Sequence, residues 1–263
     1  METLKLSNLS AIEGIQHHIF SRHGGCSQGD YASLNLSLGV GDDIDAVQQN
    51  RRIISEHMQT ACLAFSNQVH GTQVLTIDRQ SFSGEVPETL HAGTGDAMIT
   101  DVPGVALVVL VADCQAVLMV DPVKGVIANV HVGWRGNTNH ILCRTITEMH
   151  RRFGCDPVDL RVGISPSLGP CCAEFVNFAS EIPKMYWHHK DRRSRFDLWA
   201  LSREQLLLEG VLTENIQISG ICTRCGKDNF FSYRANRITG RFAAAIQKDT
   251  GCRIMSGMTG LAI

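Results

Sequence analysis

The sequence predicts a single globular domain that mixes β-strands with amphipathic helices, and three observations carry that reading. Val105 to Val111, Ala116 to Val120 and Val126 to Val132 are short runs rich in Val, Leu and Ile, the pattern of buried strands. Two other segments, Asp45 to Met58 and Ile141 to Phe153, set apolar residues at helical spacing. Hydrophobic residues make up 44% and charged residues 19% of the 263, enough apolar content for a large core in a chain of this length. Prolines number only 7 and are scattered, and no stretch reads as a linker or repeat, so one domain over residues 1–263 is the simplest organisation.

Several function classes fall away on composition. The balance of 24 basic against 26 acidic side chains gives a net charge of −2, with no broad basic surface for a nucleic-acid partner. The longest apolar run, Val105 to Ala112, is far shorter than a membrane span. The opening residues, Met1-Glu2-Thr3-Leu4-Lys5, lack a basic n-region followed by an apolar h-region, so a cytoplasmic location is expected. With no export signal, the ten cysteines are expected to be reduced thiols. The adjacent pair Cys171-Cys172 cannot easily bridge within one strand or helix. Cys222 and Cys225 have CxxC spacing, which metal binding or redox cycling could use, but no second CxxC completes a four-cysteine zinc site, and buried thiols are the simpler expectation for this pair.

The N-terminal third, from Ser21 to Leu36, is rich in Gly, Ser and Asn, which is loop chemistry. The helix from Asp45 to Met58 presents Val47, Ile53 and Ile54 as its candidate buried face. Asp121-Pro122-Val123-Lys124-Gly125 is a turn signal between two strands, since Pro restricts φ and Gly admits the left-handed region. A four-residue loop that opposes Val120 to Gly125 also opposes Cys114 to His131, whereas a one-residue slip would turn those side chains to opposite faces. After His131, the segment Val132-Gly133-Trp134-Arg135-Gly136-Asn137 leads into the helix from Ile141, with Asn137 or Thr138 as its cap. Backbone N–H groups at such a strand-to-helix turn favour an anion, phosphate above all.

Three ligand-type side chains stand in apolar or glycine-bearing contexts: His70 in Gln68-Val69-His70-Gly71, Cys114 in Ala112-Asp113-Cys114, and His131 in Val130-His131-Val132-Gly133. Two imidazoles and a thiolate suit Zn²⁺ or Cu²⁺ and leave a fourth position for water or substrate. The other histidines, His17, His18, His23, His57, His91, His140, His150, His188 and His189, default to solvated surface.

Nine motifs occur together and in order. They are Phe20-Ser21-Arg22-His23-Gly24-Gly25 with Leu34-Asn35, Gln68 to Gly71, Gly95 to Thr100, Ala112 to Cys114, His131 to Gly136, Gly169 to Cys172, Cys222-Thr223, Phe230 to Arg234, and Gly240-Arg241. On these the chain resembles the YfiH-like family, also called the laccase-domain or polyphenol-oxidase-like family, over roughly residues 10 to 245. The resemblance implies an α+β fold with mixed sheets in an α/β/β/α layered sandwich. It puts the family's metal ligands on His70, Cys114 and His131. It also implies purine nucleoside chemistry: phosphorolysis of adenosine, inosine, guanosine and 5′-methylthioadenosine, together with adenosine deamination, on small-molecule substrates. No protein partner is implied. Three positions depart from the family pattern: Val132 before Gly133-Trp134, Asn137 after Gly136, and Ala235 after Arg234.

Within that resemblance roles can be allotted. Zinc lowers the pKa of a bound water, the nucleophile a deamination needs, and Asp113 followed by Asp96 are the candidate proton carriers. Asp113 alternatively bonds backbone or orients a metal-bound histidine. Arg22, Asn35, Arg135 and Arg234 are the candidates for holding substrate or phosphate. Phe230, Phe231 and Tyr233 could stack on a purine. A single three-ligand cluster is too few metal sites for four-electron reduction of O₂, so the family's older label of copper-dependent phenol oxidase ranks second. A third reading makes Cys114 and His131 a metal-free thiolate–imidazole pair that hydrolyses an amide or cell-wall peptide.

Overall fold

The computed structural model describes residues 2–82, 84 and 86–250 of the chain. The stretch from Cys252 to Ile263, which matches none of the motifs above, lies outside the described residues. The strands are β1 (Thr3–Leu4), β2 (Ile15–Phe20), β3 (Cys62–Asn67), β4 (Val74–Ile77), β5 (Thr89–Thr94), β6 (Ala97–Thr100), β7 (Val105–Val111), β8 (Gln115–Asp121), β9 (Val126–Val132), β10 (Arg161–Ile164), β11 (Ile216–Ile218) and β12 (Phe242–Lys248). The α-helices are α1 (Ser7–Ser10), α2 (Ile44–Met58), α3 (Trp134–Thr138), α4 (Ile141–Phe153), α5 (Phe178–Glu181) and α6 (Leu198–Leu208). No helix among them is long and apolar enough to cross a membrane.

Two mixed sheets form, ordered β1-β2-β12-β7-β3-β5 and β11-β10-β8-β9-β6-β4. Continuous apolar runs build them because their central strands are covered on both faces. In β7, Val105, Leu107, Val109 and Val111 point between the sheets, where they meet Ala116, Leu118 and Val120 of β8. The alternate residues, Ala106 and Val108 of β7, join Ile54 and Met58 of α2 on the outer face of the first sheet. Val117 and Met119 of β8 pack with Ile141, Leu142, Ile146 and Met149 of α4 outside the second. Strand period two therefore divides each apolar run between two cores, and the layers read α/β/β/α. At roughly 1.5–3 kcal/mol per fully buried aliphatic side chain, this burial outweighs any local propensity.

The helix predicted from Asp45 forms as α2, begun by Asp43, whose side chain accepts the Ala46 N–H. Val47 and Ile54 are fully buried, whereas Ile53 is only partly so. The β8–β9 hairpin has a four-residue loop, but it comprises Pro122 to Gly125, with Asp121 paired to Val126. Asp121 shapes it, because its carboxylate accepts the Val123 and Lys124 N–H groups. Ala116, rather than Cys114, therefore lies opposite His131. The displacement is two residues, so Cys114 keeps its predicted face. The expected capping of α4 is also corrected: Asn137 and Thr138 belong to the separate α3, and the N-cap of α4 is His140, which sits at a left-handed φ of 63° and makes no side-chain capping bond. Finally, His17 and His18 are not surface residues. Both lie in β2 and are 1% and 4% exposed.

Candidate active site

The site forms where the chain crosses from one sheet to the other. Residues 68–73 carry it from β3 to β4, and residues 112–114 carry it from β7 to β8. The short second crossing turns sharply at Asp113, which takes a left-handed φ of 90°. The first is tied down by Gln68, whose amide both donates to the Leu110 carbonyl and accepts the Leu110 N–H, in the manner of a strand partner. His70 then sits at φ 60°. β9 delivers His131 next to its end.

These three elements bring the predicted ligands together. One donor atom each from His70, Cys114 and His131 lie within 4.8 Å of one another. Cys114 Sγ is 3.8 Å from His70 Nε2, and the two imidazoles cross nearly edge to face at 78° with ring centres 4.8 Å apart. His131 is buried, Cys114 half-buried and His70 exposed, so the cluster opens to solvent on the His70 side. Gly133 keeps it open: a Cβ there would fall 2.6 Å from His70 Cδ2 and 3.3 Å from Cys114 Sγ.

Asp96 organises the cluster. Its carboxylate accepts the His131 Nδ1–H at 2.8 Å, the His70 N–H at 2.9 Å and the Gly71 N–H at 2.7 Å. Burial pushes this carboxyl up, but the hydrogen bonds from His131, Gly71 and His70 outweigh it and hold it below its ordinary value. Burial likewise pushes the Cys114 thiol up, and the facing His131 together with hydrogen bonds from both histidines reverses this, bringing it to about 6. Burial lowers His131, while the Cys114 thiolate and Asp96 more than compensate and raise it to about 9. Without a metal the pair thus favours thiolate and imidazolium. With one, the Asp96 bond leaves His131 Nε2 as the free lone pair, the arrangement seen around metal-bound histidine. The nitrogen-and-sulfur donor set fits Zn²⁺, and Cu²⁺ also favours it.

Asp113 does different work. Its Oδ1 accepts the Thr223 and Ser232 hydroxyls at 2.7 and 2.6 Å, and its Oδ2 accepts the Arg234 N–H at 2.6 Å. This clamps the 223–234 segment beside Cys114 and engages the carboxylate first offered as a proton carrier. The role of orienting a ligand histidine falls to Asp96 instead.

The proposed substrate groups divide. Asn35 is wholly buried, and its amide bonds Ser37, Asp42 and the Arg241 N–H, so it cannot reach a ligand; this corrects the expectation. The Arg22 guanidinium donates to the Ala32 and Lys227 carbonyls and lies over the Phe231 ring. Arg234 donates to the Cys172 and Glu174 carbonyls. Arg135 is exposed, flanks Trp134 and makes no side-chain hydrogen bond among the described residues. Phe231 is fully buried and Phe230 is 7% exposed, both as packing, whereas Tyr233 is 46% exposed.

Sequence reasoning gave Arg241 no role, although it ends a quoted motif. It is partly buried, and burial lowers its pKa while Cys114 and Asp113, both nearby negative charges, pull it back up. A second miss is larger. Cys171, Cys172, Cys222 and Cys225 converge, and only Cys222 is buried. Spacing alone hid this, because the two pairs are separated by some fifty residues of chain.

A family model described as multi-copper polyphenol oxidoreductase laccase matches residues 16–249. A Bacteroides thetaiotaomicron protein named purine nucleoside phosphorylase is 33% identical, covering 92% of this chain and 95% of its own. The Geobacillus stearothermophilus protein named purine nucleoside phosphorylase YlmD is 33% identical, over 86% and 87% of the two chains. In fold, the chain is similar to the crystal structure of Neisseria meningitidis protein NMB0706, with a TM-score of 0.79 and 31% identity, covering 94% of this chain and 98% of that one.

Proposed function

Since the chain belongs to the laccase-domain, YfiH-like family, we propose that it is a purine nucleoside phosphorylase whose site is centred on His70, Cys114 and His131. One observation carries the reading: a solvent-open N/S cluster, oriented by Asp96, in a chain similar over most of its length to relatives that bear that name. In the reaction the C1′–N glycosidic bond breaks, a C1′–O bond to phosphate forms, and the base leaves with a proton on its ring nitrogen. Arg135, exposed and without a side-chain hydrogen bond among the described residues, is our candidate to hold phosphate. Arg241 is a partly buried cation whose charge and that of Cys114 act on one another. Tyr233 is the exposed aromatic able to stack on the purine. His70, Cys114 and His131 would hold zinc, which when bound supplies Lewis-acid charge and a water of lowered pKa.

Adenosine deamination is the second half of the proposal and the weaker one, because Asp96 and Asp113 both have their carboxylates engaged by hydrogen bonds. The lowered thiol of Cys114 favours one rival, a metal-free Cys114–His131 hydrolase. Copper-dependent phenol oxidation ranks below both, since among the described residues only one cluster joins imidazoles to a thiolate.

The deciding experiment incubates the purified protein with adenosine, inosine, guanosine and 5′-methylthioadenosine, with and without phosphate and with and without chelator, and identifies products by mass spectrometry. Free base and ribose 1-phosphate (the methylthio sugar phosphate from the last substrate) are expected only with phosphate, and ammonia and inosine from adenosine without it. Absence of free base from every nucleoside in phosphate would overturn the phosphorylase. Cleavage of an added amide or cell-wall peptide that survives the chelator yet is lost on thiol alkylation would favour the hydrolase.

A further inference from the structure

We propose that Cys171, Cys172, Cys222 and Cys225 bind a second zinc ion in a closed, four-thiolate site that is separate from the His70 cluster. Their four sulfurs lie within 4.8 Å of one another. Cys225 Sγ is 3.7 Å from Cys171 Sγ and 3.6 Å from Cys172 Sγ. A tetrahedron with Zn–S bonds of about 2.3 Å has edges of about 3.8 Å, so these separations already match those around one cation. The His70 cluster offers three ligands and an open face. Here four thiolates complete the shell, which is the donor set of a structural site rather than a catalytic one.

The backbone is arranged to hold the sulfurs in place. Ser167 and Cys222 form a parallel bridge, with the Ser167 N–H donating to the Ile221 carbonyl and the Thr223 N–H donating to that of Ser167. Gly169 lets the next turn close on it, since a Cβ there would lie 3.0 Å from Cys222 Cβ. The Cys172 N–H donates to the Gly169 carbonyl, and the Gly226 N–H to that of Cys222, so each cysteine pair sits in its own tight turn. Two cations lie against the cluster: Arg195 donates to the Cys171 carbonyl and Arg234 to the Cys172 carbonyl. Positive charge of this kind offsets the net negative charge of a zinc ion bound to four thiolates. Binding releases the thiol protons to solvent and changes no oxidation state.

The site would tie the 169–175 turn to the segment that supplies Thr223, Ser232 and Arg234 to Asp113, next to Cys114. It would thus brace one wall of the active site without touching substrate.

The test measures zinc on the full chain, purified in the presence of zinc and a non-thiol reductant. Wild type should hold about two zinc ions, as one open and one closed site require, while Cys114→Ala and Cys225→Ser should each hold about one. Reloaded with Co²⁺, Cys114→Ala should show the intense thiolate-to-metal charge transfer of a sulfur-rich site, and Cys225→Ser should lose it. In wild type, all four cysteines should resist alkylation until a chelator is added, a reading that stands even if Cys225→Ser does not fold. No zinc in Cys114→Ala, unchanged zinc in Cys225→Ser, or a disulfide among these four cysteines would each overturn the proposal, whereas one zinc in wild type that Cys114→Ala retains would count against the His70 cluster instead. Because it reads metal and thiols alone, its failure is distinct from a failure of the phosphorylase reading.

Discussion

His131 donates its Nδ1–H to the Asp96 carboxylate at 2.8 Å, and the same carboxylate accepts the backbone N–H of His70. One buried side chain therefore sets both the tautomer of one candidate ligand histidine and the backbone position of the other.

Replacing Asp96 should accordingly damage metal binding even though its side chain is not one of the three candidate ligands. Asp96→Asn can present one oxygen to the His131 and His70 N–H groups, which share Oδ1, but it loses the charge and the acceptance of the Gly71 N–H at Oδ2. Zinc affinity at this cluster should fall by roughly 10–100-fold, measured by competition with a chromophoric chelator. An unchanged affinity would show that Asp96 is a packing residue.

Gly133→Ala tests the geometry from the other side. The added methyl would meet His70 Cδ2 at 2.6 Å, on a histidine whose backbone Asp96 already holds. We expect loss of zinc from the His70 cluster and loss of turnover. Folding should survive, because His70 is exposed and can swing outward. Retention of full activity would mean that the ring has free room to move.

Asp113→Asn separates a clamp from a proton carrier. Amide geometry cannot accept from Thr223, Ser232 and the Arg234 N–H together, so stability should drop by about 0.5–1.5 kcal/mol, the net worth of one lost hydrogen bond. Zinc should stay bound. Denaturant titration and kinetics read the outcome together. An abolished rate with unaltered stability would restore Asp113 as acid or base.

The buried β2 histidines give a pH dependence. Burial, helped by the charge of Lys5, lowers His17 from 6.5 to about 4, and the same two effects with His57 bring His18 to about 3. His17 Nε2 accepts the Leu6 N–H at 2.8 Å, which only the neutral ring can do. Protons therefore bind the unfolded chain first, and stability should fall as pH drops from about 6.5 towards about 4. In His17→Gln, whose amide oxygen can take over the Leu6 bond, denaturant midpoints should decline less steeply over that range. An equal decline in both proteins would count against this source of acid sensitivity.

Much of this was legible in advance because it is local. Strand runs such as Val105 to Val111 and the helical spacing from Ile141 to Phe153 are properties of a few neighbouring residues, and the structure forms both within those bounds. The three candidate ligands could be singled out one at a time by residue type and glycine-bearing context. Mistakes arose where a residue's fate depends on distant partners. Asn35 has a ligand's chemistry but is fully buried against Ser37, Asp42 and Arg241. The hairpin register moved by two residues because the Asp121 side chain folds into the turn rather than pairing earlier.

By itself, then, the sequence determined the elements, the alternation that sends each apolar run into two cores, and the chemical identity of His70, Cys114 and His131. Tertiary structure alone decided which carboxylate steadies the ligands and which clamps a loop, and it alone gathered Cys171, Cys172, Cys222 and Cys225 into one cluster. The physical reason is range. Periodicity acts between residues a few positions apart, whereas a buried carboxylate or a crowded thiol takes its role from whatever long-range packing sets against it.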